Sequence, residues 1–436
     1  MTLRQRLSDD HLVRNSLFLM LSTWTMGLFG FVFWLLAAHL CSSVSIGRAT
    51  TVISAMSVIS YVSDLGLSQT LIRVLPTSQD ADAEINTALV LSSGLAMIIA
   101  LGYLAVVPSI APNVGFLRAH LLNAVAFVLL NGCAAANLLT DSVFIAHRRA
   151  YYNFLVDGVV QGLTKVVLLG GFLAFSAFGI FASTGLASGV AVVASLVFLV
   201  WRVGYHPSLR IDIAVFLRTL RFSLANYVGN VFQLLPLLVL PVIVVSGDGP
   251  RRAAYFFIAF NLANLTYAVP FGMSSSLLAE GSQGSVDLGS LARRAGKVLL
   301  PLTVGIAMIV VLAAHWALLV YGSSYSANAT TPLIVLAAAL PIVGLNNFGQ
   351  ILLKLRGQLT SLVVLNIASF VTIVGLAELW SSAGLTLIAV AWVIGNLVAG
   401  LIAVASLLRP AGAASSATAP GARAVTDRGR ALAMRR

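Results

Sequence analysis

The sequence predicts an all-α polytopic membrane protein with about twelve transmembrane helices in two six-helix lobes, and three observations carry that expectation. Apolar residues make up 59% of the 436-residue chain and charged residues only 9%, with a mean hydropathy of +0.97, whereas soluble domains carry about 25% charged residues to solvate a surface. The apolar residues come in continuous runs of about 20 rather than ten-residue alternating segments, which selects helices over a β-barrel. The basic residues recur in every second connection between runs, the pattern that orients a chain in a membrane.

The first run, 15–40, follows Arg14 without a small-residue cleavage site and reads as a first span rather than a removed leader. Further spans are expected at 46–71, 85–108, 117–140, 154–176 and 179–201, and a second set at 222–246, 253–279, 298–320, 331–352, 359–380 and 384–408. The chain thus divides into an N-terminal segment 1–13, a lobe 14–201, a linker 202–221, a lobe 222–408 and a tail 409–436. In the linker, Arg210, Asp212, Arg218 and Arg221 alternate with Ile211, Ile213 and Leu217, the pattern of an amphipathic interfacial helix. The Ala, Gly, Ser, Pro and Arg-rich tail is expected to be disordered and to touch anionic lipid.

With the N-terminus cytoplasmic, only Arg48, Arg118, Arg251 and Arg252 fall on the outer side and Lys165 within a span, while the remaining Lys and Arg residues face inward. That bias puts both termini in the cytoplasm. The outer connections are all too short to fold as a domain. A weak internal repeat accompanies the even span count: Arg14, Ser16 and Leu17 align with Arg221, Ser223 and Leu224, and Gly66, Ser68 and Leu71 with Gly272, Ser274 and Leu277, at nearly one offset.

Several function classes are excluded. The net charge of +12 is distributed among loops rather than gathered in one patch, so it is a topology signal and no nucleic-acid partner is expected. Cys41 and Cys133 show neither zinc-site nor disulfide spacing and read as packing residues. No phosphate loop, His-Glu-x-x-His helix or nucleophile elbow occurs, so no catalytic residue, cofactor or metal is assigned.

The polar residues within the spans are more informative. Asn153, Asp157, Gln161 and Lys165 follow at four-residue spacing along span 5, which places them on one helix face. A charge at the depth of Lys165 must face protein or a water-filled cavity, and it suits an anionic group such as a phosphate. Asp157 is roughly 12 Å away along the axis, beyond direct pairing. Span 7 carries Asn226, Asn230 and Gln233 before Pro236 and Pro241; span 8 carries Asn261, Asn264 and Tyr267 before Pro270. Polar stripes beside bent helices read as a transport cavity, with interhelical amide contacts as the structural alternative. Asp64 is the buried acid suited to a coupling ion. Asp141, Glu280, Glu378, His39 and His315 are expected to be interfacial or packed.

Four segments, RNSLFLMLSTWTMGLFGFVFWLLAAHL at 14–40, VSIGRATTVISA at 44–55, DLGLSQTLIRVLP at 64–76 and VPFGMSSSLLAEGS at 269–282, resemble the bacterial polysaccharide exporters, the lipid-linked oligosaccharide flippases of the multidrug/oligosaccharidyl-lipid/polysaccharide superfamily. The resemblance implies a MATE-like fold and alternating access. It further implies flipping of an undecaprenyl-diphosphate-linked repeat unit across the bacterial cytoplasmic membrane, for cell-surface polysaccharide. The implied partners are that lipid-linked sugar, membrane lipids, and polymerases or glycosyltransferases of the same pathway. The diphosphate role would fall to Lys165 with Arg48 or Arg73, and the amide stripes would face sugars. His39 stands where many relatives carry arginine. A cation-coupled drug exporter, a peptidoglycan-precursor flippase and a membrane glycosyltransferase or polymerase remain the alternatives, the enzyme disfavoured because no outer loop is long enough to carry a catalytic site.

Overall fold

A computed structural model describes residues 3–110, 112–207, 213–281 and 288–408, and these form helices without a single strand among them. Ten helices are long and apolar enough to cross a membrane, and two bent helix pairs bring the total to twelve. The order is span 1 (Leu3–Leu40), span 2 (Ser43–Asp64 with Leu67–Val74), span 3 (Ala81–Ile110), span 4 (Leu121–Ala146), span 5 (Ala150–Gly171) and span 6 (Leu173–Val203). The second half follows as span 7 (Ile213–Asp248), span 8 (Pro250–Gly281), span 9 (Leu288–Leu319), span 10 (Ser323–Ala338 with Leu340–Leu355), span 11 (Leu359–Leu379) and span 12 (Leu385–Leu408). Large apolar side chains such as Trp24, Leu121, Ile309 and Leu312 stand outward, each more than 60% exposed. Such a surface is compatible only with a lipid environment, so the protein is a multi-pass membrane protein.

Two boundaries differ from the sequence reading. The span 7 helix begins at Ile213, so residues 213–221 extend a span instead of forming a separate interfacial helix; 208–212, the start of that expected helix, lie outside the described residues, as does the tail 409–436. Span 2, expected to be continuous over 46–71, breaks at Leu65 and Gly66, whose φ angles of 49° and 78° are left-handed, and bends by 47°. Glycine takes that conformation freely whereas leucine is strained in it, and the carboxylate of Asp64 holds the turn: its Oδ1 accepts from the Ser68 amide at 3.1 Å and hydroxyl at 2.6 Å, its Oδ2 from the Gly66 amide at 3.2 Å. The aligned Gly272 lies in an unbroken helix. The second lobe bends instead in span 10, by 41° at Ala339, where Pro341 contributes no amide hydrogen to the helix.

Among the described residues, the apolar cores of the two lobes merge at one end. Call the end carrying Arg73, Arg148, Arg149 and Arg202 the basic end and its opposite the far end. One large apolar cluster at the far end unites Phe33, Ala37 and Ile46 of the first lobe with Val244, Phe256 and Tyr325 of the second. Trp34 packs edge-on against Phe257 at 4.5 Å between centroids, and Phe31 against Tyr321 at 5.7 Å. At the basic end the clusters are private: Leu71, Ile85 and Phe144 belong to the first lobe alone, Leu353, Leu365 and Ala403 to the second. In the basic half the span 7 helix also runs against Leu67–Val74, and Tyr227 Oη lies 2.6 Å from the Tyr61 carbonyl and 2.8 Å from that of Val62. The lobes are thus sealed at the far end and joined sparsely, among the described residues, at the basic end.

Candidate functional site

Span 1 docks on the small-residue face of span 5. A Cβ added at Gly158 would meet Thr25 and Ser22, and one at Gly162 would fall 2.6 Å from the Phe29 ring; glycines let the two backbones approach as helices do in lipid. The same register sets Lys165 beside span 1, its Nζ 3.9 Å from where a Cβ would stand at Gly30 and 5.9 Å from the Phe33 ring centroid, within cation–π range. Lys165 lies roughly 9 Å short of the helix end at Gly171, nearer the far end than the sequence placed it. Phe33 belongs to the far-end cluster, so the lysine sits directly beneath the seal. It forms no hydrogen bond or ion pair with any described residue.

The other three members of the span 5 series do not join it. Over Phe154–Gln161 the backbone widens into a π-helix, which rotates successive side chains away from the single face that four-residue spacing implies. Gln161 donates to Ser188 Oγ of span 6 at 3.0 Å. Asn153 donates to the Asp141 carbonyl of span 4 at 3.2 Å. Asp157 accepts from Asn137 Nδ2 at 3.0 Å, and the Asp141 carboxyl lies close to it. Asp141, expected at the membrane interface, stands half-buried in span 4 next to Asp157 of span 5.

The remaining candidate cations are dispersed. Arg48 lies at the far end of span 2 with its Nε buried and unpartnered among the described residues, and Arg73 is exposed at the basic end. They are roughly 30 Å apart along the helix axis, so Lys165, Arg48 and Arg73 cannot grip one diphosphate together. Asp64 is buried as expected, but its oxygens are engaged in capping the break of span 2. Asn261 turns back to the Phe257 carbonyl of its own helix. Asn226 and Asn230 lie on the span 7 helix with side chains outside the described residues.

Gln233 and Asn264 do share a cavity, a space of about 250 Å³ within the second lobe among spans 7, 8, 10, 11 and 12. Its deep wall is an amide chain the sequence reading missed: Gln350 Nε2 donates to Asn346 Oδ1 at 3.2 Å, Asn346 Nδ2 to Asn396 Oδ1 at 3.1 Å, and Asn396 Nδ2 to the Trp392 carbonyl at 3.0 Å. The i, i+4 spacing of Asn346 and Gln350 in span 10 was the available signal. Among the described residues no group of three or more His, Cys, Asp or Glu could hold a metal.

No family model matches the chain, and no curated protein does. Solved structures do. The inward-facing conformation of a multidrug resistance MATE family transporter of the MOP superfamily aligns with a TM-score of 0.71 at 16% identity, over 87% of this chain and 92% of that one. An outward-facing conformation of such a transporter gives 0.61 at 18% identity, over 90% and 93%, and a crystal structure of MATE in the bent conformation gives 0.60 at 17%, over 91% and 93%. The chain has the fold of these proteins.

Proposed function

We propose that this chain is a transporter, not an enzyme, that flips an undecaprenyl-diphosphate-linked oligosaccharide repeat unit across the bacterial cytoplasmic membrane by alternating access, for surface polysaccharide. The observation that carries the reading is Lys165: an ammonium without a carboxylate partner among the described residues, set beneath the far-end seal. An unneutralised cation at that depth is stable only with a counter-ion or water to solvate it, and a lipid diphosphate supplies the counter-ion. Taking the basic end as cytoplasmic, the lobes are closed outward, in keeping with the better alignment to an inward-facing transporter than to an outward-facing one. Opening the seal would pass the site beneath it to the outer side. We assign coupling to the neighbouring acids Asp141 and Asp157 in place of Asp64, because two carboxyl groups held close together favour sharing one proton.

A second reading, export of drugs, is favoured by the printed names of the fold neighbours. Cationic drugs call for a free carboxylate in the cavity, whereas Asp64 caps the break of span 2 and Asp157 accepts from Asn137. A strain lacking the protein separates the readings. Diphosphate-linked polyprenyl oligosaccharides should accumulate in the membrane while surface polymer disappears, both reversed by the intact gene; unchanged lipid pools would overturn flipping in favour of drug export.

A further inference from the structure

Among the described residues, the second-lobe cavity has no charged side chain on its wall. That composition argues against a phosphate, which needs cations, and against a metal ion or an organic cation, which needs carboxylates. It is nevertheless strongly polar. Asn346, Gln350 and Asn396 are each at least 95% buried and linked amide to amide, which fixes the orientation of their oxygens and nitrogens. Gln350 Oε1 is left buried without a partner, an arrangement that costs free energy unless a ligand or water donates to it. Gln233, Asn264 and Asn347 on the same wall hydrogen-bond to no described residue. Beside the amides are apolar ring surfaces: Tyr267 and Trp392, parallel within 8° at 6.3 Å between centroids, and Phe271.

Preset neutral donors and acceptors next to aromatic surface match one chemistry, a ring that is hydroxylated at its edges and apolar on its faces. We propose that this cavity is a carbohydrate subsite holding a sugar of the repeat unit, with Asn346, Gln350 and Asn396 reading its hydroxyls. The proposal rests on the flippase reading above and deepens it. A volume of 250 Å³ lies below the ~300–1,000 Å³ of sites for drug-sized ligands, so the cavity takes one sugar unit rather than the whole repeat. Diphosphate and sugar are then bound in different lobes.

The test uses the full chain in lipid nanodiscs and compares binding of undecaprenyl diphosphate with its N-acetylhexosamine-, hexose- and deoxyhexose-linked forms. At least one sugar-linked form should bind wild type about tenfold tighter than the bare lipid, the size of one or two hydrogen bonds to buried groups. Gln350→Leu and Asn396→Leu should erase that difference while leaving bare-lipid affinity unchanged, which also reports that they fold. Lys165→Met should weaken all forms in parallel. Retention of the sugar increment in both leucine variants, or no increment in wild type, overturns the subsite. Saturable binding of radioactive sodium that is lost in Asn396→Leu, without a sugar increment, would make it a cation site instead. If even the bare lipid does not bind wild type, the flippase reading fails and the subsite with it.

Discussion

Gly47 offers the sharpest test of the far-end seal. A Cβ added there would stand 1.6 Å from the Pro250 carbonyl oxygen, 2.5 Å from its carbon and 2.9 Å from its Cα, all backbone atoms that cannot swing aside. The Gly47 carbonyl is also held by the hydroxyls of Thr50 and Thr51, each donating at 2.9 Å. Gly47→Ala therefore forces spans 2 and 8 apart by roughly 1.5 Å, and overpacking of this kind costs about 1–3 kcal/mol. Because the contact crosses the lobe boundary, the penalty falls on the sealed state and vanishes when the far end opens. A bias of that size moves the equilibrium toward the open state by about ten- to a hundredfold. The assay is labelling of a cysteine placed at Ala37, which is 0% exposed in the seal, by a membrane-impermeant maleimide added outside, in a chain whose Cys41 and Cys133 are serine. The labelling rate should rise by about tenfold or more in the Gly47→Ala background. An unchanged rate in protein that remains monodisperse would refute the reasoning that the far-end contact is the closed gate.

Three further outcomes follow from the first lobe. Lys165→Ala should abolish surface polymer and raise the lipid-linked pool without lowering the amount of protein in the membrane; normal export in that variant removes the lysine from the site. Asp141→Asn and Asp157→Asn each keep the size of the side chain but leave no proton to be shared between two carboxyl groups, so transport in proteoliposomes should lose its response to an imposed pH gradient while substrate still binds. Asp64→Ala should lower stability by about 1–3 kcal/mol, because the buried amides of Gly66 and Ser68 lose their acceptor, whereas Asp64→Asn retains an acceptor and should stay within about 1 kcal/mol of wild type with transport intact; unfolding by SDS titration reads the first effect, and failed transport in the asparagine variant would restore Asp64 as a coupling acid.

The architecture was legible because hydropathy and charge bias act at the scale of whole helices. The polar sites were legible only in part, since they depend on helix rotation. Four-residue spacing put Asn153, Asp157, Gln161 and Lys165 on one face, but the π-helix at Phe154–Gln161 turns them toward spans 4, 6 and 1. Nothing in the composition of that segment announces a π-helix. Asp141 was placed by a related measure: from an apolar run ending near residue 140 it looks terminal, whereas the helix continues to Ala146 and leaves it half-buried a turn and more before its end. In span 2, Leu65 and Gly66 gave a partial signal for a break; the decisive part was the capping geometry of Asp64, which spacing alone does not distinguish from a buried acid awaiting an ion. The amide wall of the second lobe draws on spans 10 and 12, two helices far apart in sequence, so no local window displays it.

The two lobes share a layout yet divide the chemistry. Lys165, Asp141 and Asp157 lie in the first, while the second presents a cavity with no charge on its wall among the described residues. A proton gradient and a membrane potential act on charge, so on the proposed reading the driving force enters through spans 4 and 5, and a neutral sugar held in the second lobe would neither gain nor lose energy from it directly. Coupling then has to pass through the seal, the one place where the described apolar cores of the two lobes are continuous. The bends support this division, because the second span of one lobe and the fourth of the other are broken, and a pair of lobes with unlike hinges does not open symmetrically. Substitutions in the amide wall should therefore change which repeat unit is carried without changing what drives it, and substitutions at the acid pair should do the reverse.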